Sequence, residues 1–300
     1  MRVPFRPRRQ GHGDREKSRA ELQKMKSQKR IASALSGTVP NTIKFSVFEG
    51  CGINAAARGK ALNIFFVAGV PDMKTSAEAL RKLPACGCDI IEIGVPYSDP
   101  LADGPVIRGA YTMALKKGVT LKKVLELVKA ERKNVPVPIV LMIYSNLVLR
   151  KGADNFIREA VGSGVNGVIV PDMMYPYSKD FALLCRESGL AFIPLVAPAT
   201  EKERIKEISA SGDGFLYYVN VEGITGAREK LPAGIASRLR EVSEASVLPV
   251  MSGFGIPRPE HVKAIKKYVD GVIVGSAVQK ELNAGRKPWA LVKELKCSFS

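Results

Sequence analysis

The stretch Asp89-Ile-Ile-Glu92-Ile-Gly-Val-Pro-Tyr-Ser98-Asp99-Pro-Leu-Ala-Asp103-Gly104-Pro105 decides how the rest of the chain is read. Its first half is a continuous apolar, β-branched run with one carboxylate in it, as expected of a strand buried on both faces. Its second half is a turn-rich loop with two further carboxylates. A lone Glu among isoleucines is costly to bury ionised, so its pKa should rise toward neutrality, where acid–base work is done. Glu92 facing acidic loop residues therefore reads as half of a catalytic pair. The competing reading is an ordinary polar residue at a strand end.

Outward from this run the same pattern repeats. Short apolar runs predict strands at 62–68, 89–94, 138–143, 167–170, 191–195, 214–220, 249–252 and 271–275. Helical patterns lie between them, at 75–83, 121–132, 153–163, 179–188, 201–209, 235–242 and 259–267, and a closing helix is expected over 288–295. Eight strands alternating with helices in about 240 residues predict an α/β fold of the (β/α)8 TIM-barrel type. A doubly wound open sheet is the alternative, and eight strands make it less attractive.

Residues 1–42 are expected to be a basic, disordered leader, followed by a short N-terminal helix and a single barrel domain over 43–300. The first 40 residues hold 11 Lys/Arg against 3 Asp/Glu, so nearly half of the net charge of +17 sits there. The remaining excess is spread over helices as Lys-Lys and Arg-Lys pairs, without interleaved aromatics or a nucleic-acid-binding motif, and reads as a solvated surface. A transit peptide fits poorly with Asp14, Glu16 and Glu21 in the leader. No apolar run approaches the roughly 20 residues of a membrane helix. The five cysteines form neither a CxxC pair nor a disulfide framework, and two histidines offer no metal cluster, so no metal site is expected. His261, in a helical stretch, reads as a surface residue.

In a barrel of this type the site is built at the C-terminal ends of the strands. Glu92, Asp103, Tyr144, Asn146, Asp172, Tyr217 and Thr225 would then surround one mouth. Tyr217 and Tyr218 point to opposite faces of one strand, and Asp172 equally reads as a simple turn cap. Three glycine-bearing segments follow the last three strands: Glu222-Gly-Ile-Thr-Gly226, Ser252-Gly-Phe-Gly255 and Val274-Gly-Ser-Ala277. Close backbone approach and a helix start suit a phosphate, and Gly275-Ser276 opens a helical stretch directly after the eighth strand.

The run Ile91–Ile107 resembles the signature of the tryptophan synthase alpha chain family. The likeness continues through Met142-Ile-Tyr-Ser-Asn146, Val170-Pro-Asp172, Gly223-Ile-Thr-Gly-Ala227, Gly253-Phe-Gly-Ile256 and Asp270-Gly-Val-Ile-Val-Gly-Ser-Ala277, in order across residues 58–285. The resemblance implies retro-aldol cleavage of indole-3-glycerol phosphate to indole and glyceraldehyde 3-phosphate, with no cofactor in this chain. It implies Glu92 as the acid–base and Asp103 as acceptor for the indole N–H. Phe65, Tyr144, Tyr217 and Thr225 would bind substrate, with Thr225 in a closing loop, and Gly226, Gly255, Gly275 and Ser276 would hold its phosphate. Asp99 and Pro100 would meet the family's beta chain, a pyridoxal phosphate enzyme, in an alpha2beta2 hetero-tetramer.

The chain departs from the family pattern at Gly69-Val70-Pro71, where an Asp is usual in place of Val70. It departs again at Met174, where a Pro is usual, and at Ile64 and Val67. The first two changes bear on coupling to the beta chain. A stand-alone lyase, a catalytically weak regulatory subunit, and nucleic-acid binding through the leader are the competing functional readings. The expected location is the cytoplasm, or the plastid stroma if the leader is a transit peptide.

Overall fold

The computed structural model describes residues 60–219, 234–253 and 258–299. The leader, the short N-terminal helix, Thr225, Gly226 and Gly255 lie outside these residues. Nine parallel strand segments appear: β1 (Ala61–Val67), β2 (Ile90–Gly94), β3 (Ile139–Met142), β4 (Gly167–Ile169), β5 (Ala191–Phe192), β6 (Leu195–Val196), β7 (Leu216–Val219), β8 (Val250–Gly253) and β9 (Gly271–Val274). Among the described residues, eleven α-helices alternate with them: α1 (Met73–Lys82), α2 (Pro105–Lys116), α3 (Leu121–Glu131), α4 (Ser145–Lys151), α5 (Ala153–Gly162), α6 (Ser178–Glu187), α7 (Lys202–Ser211), α8 (Ile235–Ala245), α9 (Pro259–Ile265), α10 (Ser276–Asn283) and α11 (Trp289–Cys297).

The strands run in the order β5-β4-β3-β2-β1-β9-β8-β7-β6, each hydrogen-bonded to its neighbours. The two ends of this order are one predicted strand in two pieces. Pro194 has no N–H to give to a ladder, so the run at 191–195 breaks there. Neighbouring groups carry the pairing across the break. Ile193 N–H donates to Val168 O at 2.9 Å on one side, while Asp213 N–H and Tyr217 N–H donate to Phe192 O and Pro194 O at 2.8 and 2.9 Å on the other. The sheet is thereby a closed barrel, the expected fold with its fifth strand broken.

Helices cover the outer face with apolar stripes. In α3, Val124, Leu125, Leu127 and Val128 are buried at helical spacing, and the Thr120 side chain caps the first turn. Each Leu, Ile or Val so removed from water contributes about 1.5–3 kcal/mol. His261, expected at the surface, is buried on α9 with 6 % exposure, because its helix turns that position inward with Val262 and Ile265.

Bulky and absent side chains alternate inside the barrel. A Cβ on Gly94 would stand 2.7 Å from the Phe65 ring, and one on Gly253 would stand 2.4 Å from the Tyr217 hydroxyl. Both glycines therefore make room for an aromatic residue from the adjacent strand. Phe65, Glu92 and Tyr217 are thus inward-facing, and Tyr218 takes the opposite face, as strand alternation requires.

Candidate active site

Glu92 sits in the middle of β2, beside Phe65 of β1 in the ladder, and is fully buried. One carboxyl oxygen, Oε2, accepts a hydrogen bond of 2.8 Å from Asn63 Nδ2. The other, Oε1, is buried with no partner. Burial pushes the Glu92 carboxyl up to about 8, against the opposing pull of the Asn63 hydrogen bond and with added repulsion from Asp103. A carboxyl that is protonated at neutral pH and has one open oxygen can give a proton and take one back.

Asp103 closes the loop after β2, immediately before α2, whose start is set by Gly104 and Pro105. It is 9 % exposed. The Tyr144 hydroxyl donates to Asp103 Oδ2 at 2.5 Å and accepts from Ala102 N–H at 3.3 Å. Burial raises the Asp103 carboxyl to about 6, while the Tyr144 hydrogen bond and the charge of Arg108 work against that rise. Asp103 therefore ionises well before Glu92 does. The environment sets the two carboxyls apart, Glu92 protonated and Asp103 ionised at pH 7. Burial and the Asp103 charge push the Tyr144 phenol up, so it remains a donor.

Three loops of the mouth are joined. Tyr97 of the β2 loop stacks on Tyr144 with ring centroids 4.7 Å apart, and accepts a 2.8 Å hydrogen bond from Asn146. Asp172, after β4, accepts from Ser145 N–H at 2.8 Å and from Ser145 Oγ at 2.7 Å. Asp172 thus caps α4, the helix that follows β3, rather than a turn of its own loop.

On the far side of β1 from Glu92, Gly275 follows β9 and Ser276 starts α10. Ser276 is exposed, and Gly275 supplies no side chain to cap the helix, so the first-turn N–H groups suit an anion. A Cβ on Gly275 would stand 2.9 Å from the Phe65 ring. The phosphate-type corner and the aromatic wall are therefore in contact.

Two functional residues escaped the sequence reading. Asn63 is one amide in an apolar run, and its only signal was sharing the parity of Phe65 along β1. Gln279 reads as an ordinary polar residue of a helix. It is buried, with Oε1 accepting from Val67 N–H at 2.8 Å and Nε2 donating to Asn283 Oδ1 at 2.7 Å, so it pins α10 to the end of β1. Gln279→Leu leaves the Val67 N–H buried and unpaired. It is expected to lower stability by about 1–3 kcal/mol in urea unfolding, and to raise KM for a phosphorylated substrate more than it lowers kcat.

Of the two residues expected to face a partner, Asp99 is exposed and Pro100 is buried. The same loop presents Leu101 to solvent with 84 % exposure, and Met174 and Tyr177 after β4 are exposed as well. Among the described residues no cluster of three metal-ligating side chains is present, and no helix is long and apolar enough to cross a membrane.

Fold and site together define a (β/α)8 barrel that carries two buried carboxyls, Glu92 in β2 and Asp103 in the loop after it. The sequence matches the family model for the tryptophan synthase alpha chain over residues 53–299. It is 45% identical to the tryptophan synthase alpha chain of Carboxydothermus hydrogenoformans over 219 residues, 73% of this chain and 82% of that protein. It is 41% identical to that of Arabidopsis thaliana over 241 residues, 80% of this chain and 88% of that one. A Mycobacterium tuberculosis tryptophan synthase structure superposes with a TM-score of 0.75 at 36% identity, covering 85% of this chain and 96% of that one. The tryptophan synthase complex of Pyrococcus furiosus gives 0.73 at 35%, covering 80% and 98%. This chain belongs to the tryptophan synthase alpha chain family.

Proposed function

We propose that this chain cleaves indole-3-glycerol phosphate into indole and glyceraldehyde 3-phosphate, the lyase step of tryptophan synthesis. The observation that carries the reading is the pair of buried carboxyls at one mouth. Glu92 has an open oxygen and is protonated at neutral pH, and Asp103 is held ionised by Tyr144.

Glu92 delivers its proton to C3 of the indole ring, while ionised Asp103 accepts a hydrogen bond from the ring N–H and stabilises the positive charge that develops there. The Glu92 carboxylate then takes the proton of the side-chain hydroxyl on the carbon bonded to C3. That C–C bond breaks, its electron pair returns to the ring, and the hydroxyl carbon becomes the aldehyde. One proton enters and one leaves, so Glu92 ends as it began. Phe65, Tyr144 and Tyr217 wall the ring. Gly275 and Ser276 hold the phosphate; Gly226, Gly255 and Thr225, assigned to substrate by the family resemblance, lie outside the described residues. Both proton movements are served by Glu92 and the developing charge by Asp103, so the proposed reaction draws on no cofactor of this chain.

The proposed partner is a tryptophan synthase beta chain in an alpha2beta2 assembly, the subunit that would carry pyridoxal phosphate. Asp99, Leu101, Met174 and Tyr177 give it an exposed face on the loops after β2 and β4. The cytoplasm is the proposed location, and a fluorescent fusion of the full chain separates it from the plastid stroma.

The test is indole release from indole-3-glycerol phosphate by the purified chain, with and without a tryptophan synthase beta chain. Slow release that rises sharply with beta chain supports the coupled subunit. Fast release indifferent to it replaces the partner reading with a stand-alone lyase. No release in either condition overturns the lyase assignment.

A further inference from the structure

Among the described residues, three buried polar atoms in and beside β1 and β2 have no hydrogen-bond partner: Asn63 Oδ1, Glu92 Oε1 and the Tyr111 hydroxyl. The first two belong to the Glu92 pair already described. Tyr111 has no part in the mechanism above. It lies on α2 with 1 % exposure, and its hydroxyl reaches the inner end of β2, 3.1 Å from where a Cβ on Gly94 would stand. The tip of the Phe65 ring approaches the same point at 2.7 Å. The hydroxyl thus ends beside the ring wall, two residues along the strand from Glu92 and on the same face. Buried polar groups are nearly always paired, and a phenylalanine would occupy this volume without leaving an oxygen unsatisfied. A tyrosine here needs a partner that arrives later.

Of the three open atoms, Asn63 Oδ1 can only accept, and Glu92 Oε1 is engaged in the chemistry. Tyr111 holds a proton that the chemistry does not use, since burial and the neighbouring Asp103, Tyr144 and Glu92 push its phenol well above the ordinary range. Asp103 has one oxygen engaged by Tyr144, and a carboxylate has about four lone-pair positions. The groups facing it are Glu92 from β2, Tyr144 from the loop after β3, Arg108 and Tyr111 from α2, and Tyr217 from β7. Asp103 keeps a small exposure in this structure. A ring seated over it removes that last contact with water.

We propose that Tyr111 is a positioning residue for the lyase reaction: once substrate covers the mouth, its hydroxyl donates to Asp103 and holds that carboxylate ionised and aimed at the ring nitrogen. This rests on the role given to Asp103 above.

The experiment is Tyr111→Phe in the full chain, run beside wild type for indole release across pH 5–9 and for thermal unfolding. The expected result is a roughly tenfold loss of kcat at pH 7 with KM nearly unchanged. The acid limb of kcat moves up by about one pH unit, because losing a donor disfavours the ionised form. The unfolding midpoint is unchanged or higher, since an unpaired hydroxyl has been removed. Wild-type kcat and an unmoved acid limb would make Tyr111 a packing residue and overturn the inference. So would an activity loss that merely follows a lowered midpoint. If wild type releases no indole, the lyase reading itself fails, and this inference fails with it.

Discussion

Glu92→Gln is expected to cut indole release by about 10²–10⁴-fold while leaving the barrel folded. Glutamine keeps the volume and can still accept from Asn63 Nδ2, so the 2.8 Å bond survives in kind. What it loses is the proton that the open oxygen gives to the ring and recovers from the hydroxyl. The same substitution should change how stability depends on pH. In the folded chain burial lifts the Glu92 carboxyl from an ordinary 4.5 to about 8, so between those values the native state holds a proton that the unfolded chain has released. Wild-type stability must therefore fall as pH rises through that window and level off above it. Urea unfolding at pH 5 and pH 8 would show a smaller difference in the Gln variant. An identical difference in both proteins would mean that the carboxyl is not buried as described.

Asp103→Asn is expected to lower kcat/KM by about 10²–10³-fold, because a neutral amide cannot stabilise positive charge on the ring. The amide oxygen can still accept from the Tyr144 hydroxyl, so the loop keeps its anchor. The pH profile separates loss of charge from loss of structure. Wild-type kcat/KM should rise as Asp103 ionises near 6 and fall as Glu92 loses its proton near 8. The Asn variant should keep the fall and lose the rise. A profile that keeps both limbs would remove Asp103 from the chemistry.

Much of this was legible in the sequence, and for a physical reason. Strands buried on both faces read as unbroken apolar runs, so β1, β2, β3, β8 and β9 were placed within a residue or two of their observed limits. The break at Pro194 was not legible, because it depends on which neighbours carry hydrogen bonds around a missing N–H. Glu92 announced itself as a charge where none should be. Asn63 and Gln279 did not, since a single amide looks the same in sequence whether it faces water, a catalytic carboxyl or a strand's last N–H. His261 was misplaced for the same reason, burial being a property of the helix's orientation. The need for Gly94 lay in the Phe65 ring of the adjacent strand, which no local reading can supply.

The hydrogen bond from the Ala102 N–H to the Tyr144 hydroxyl gives this molecule its own reporter. That amide sits one residue from Asp103, on the loop that also bears Leu101, and its exchange with deuterated solvent or its NMR shift records whether the loop is seated. Ligand at the mouth and protein at the outer face can then be read on one backbone atom, without turnover.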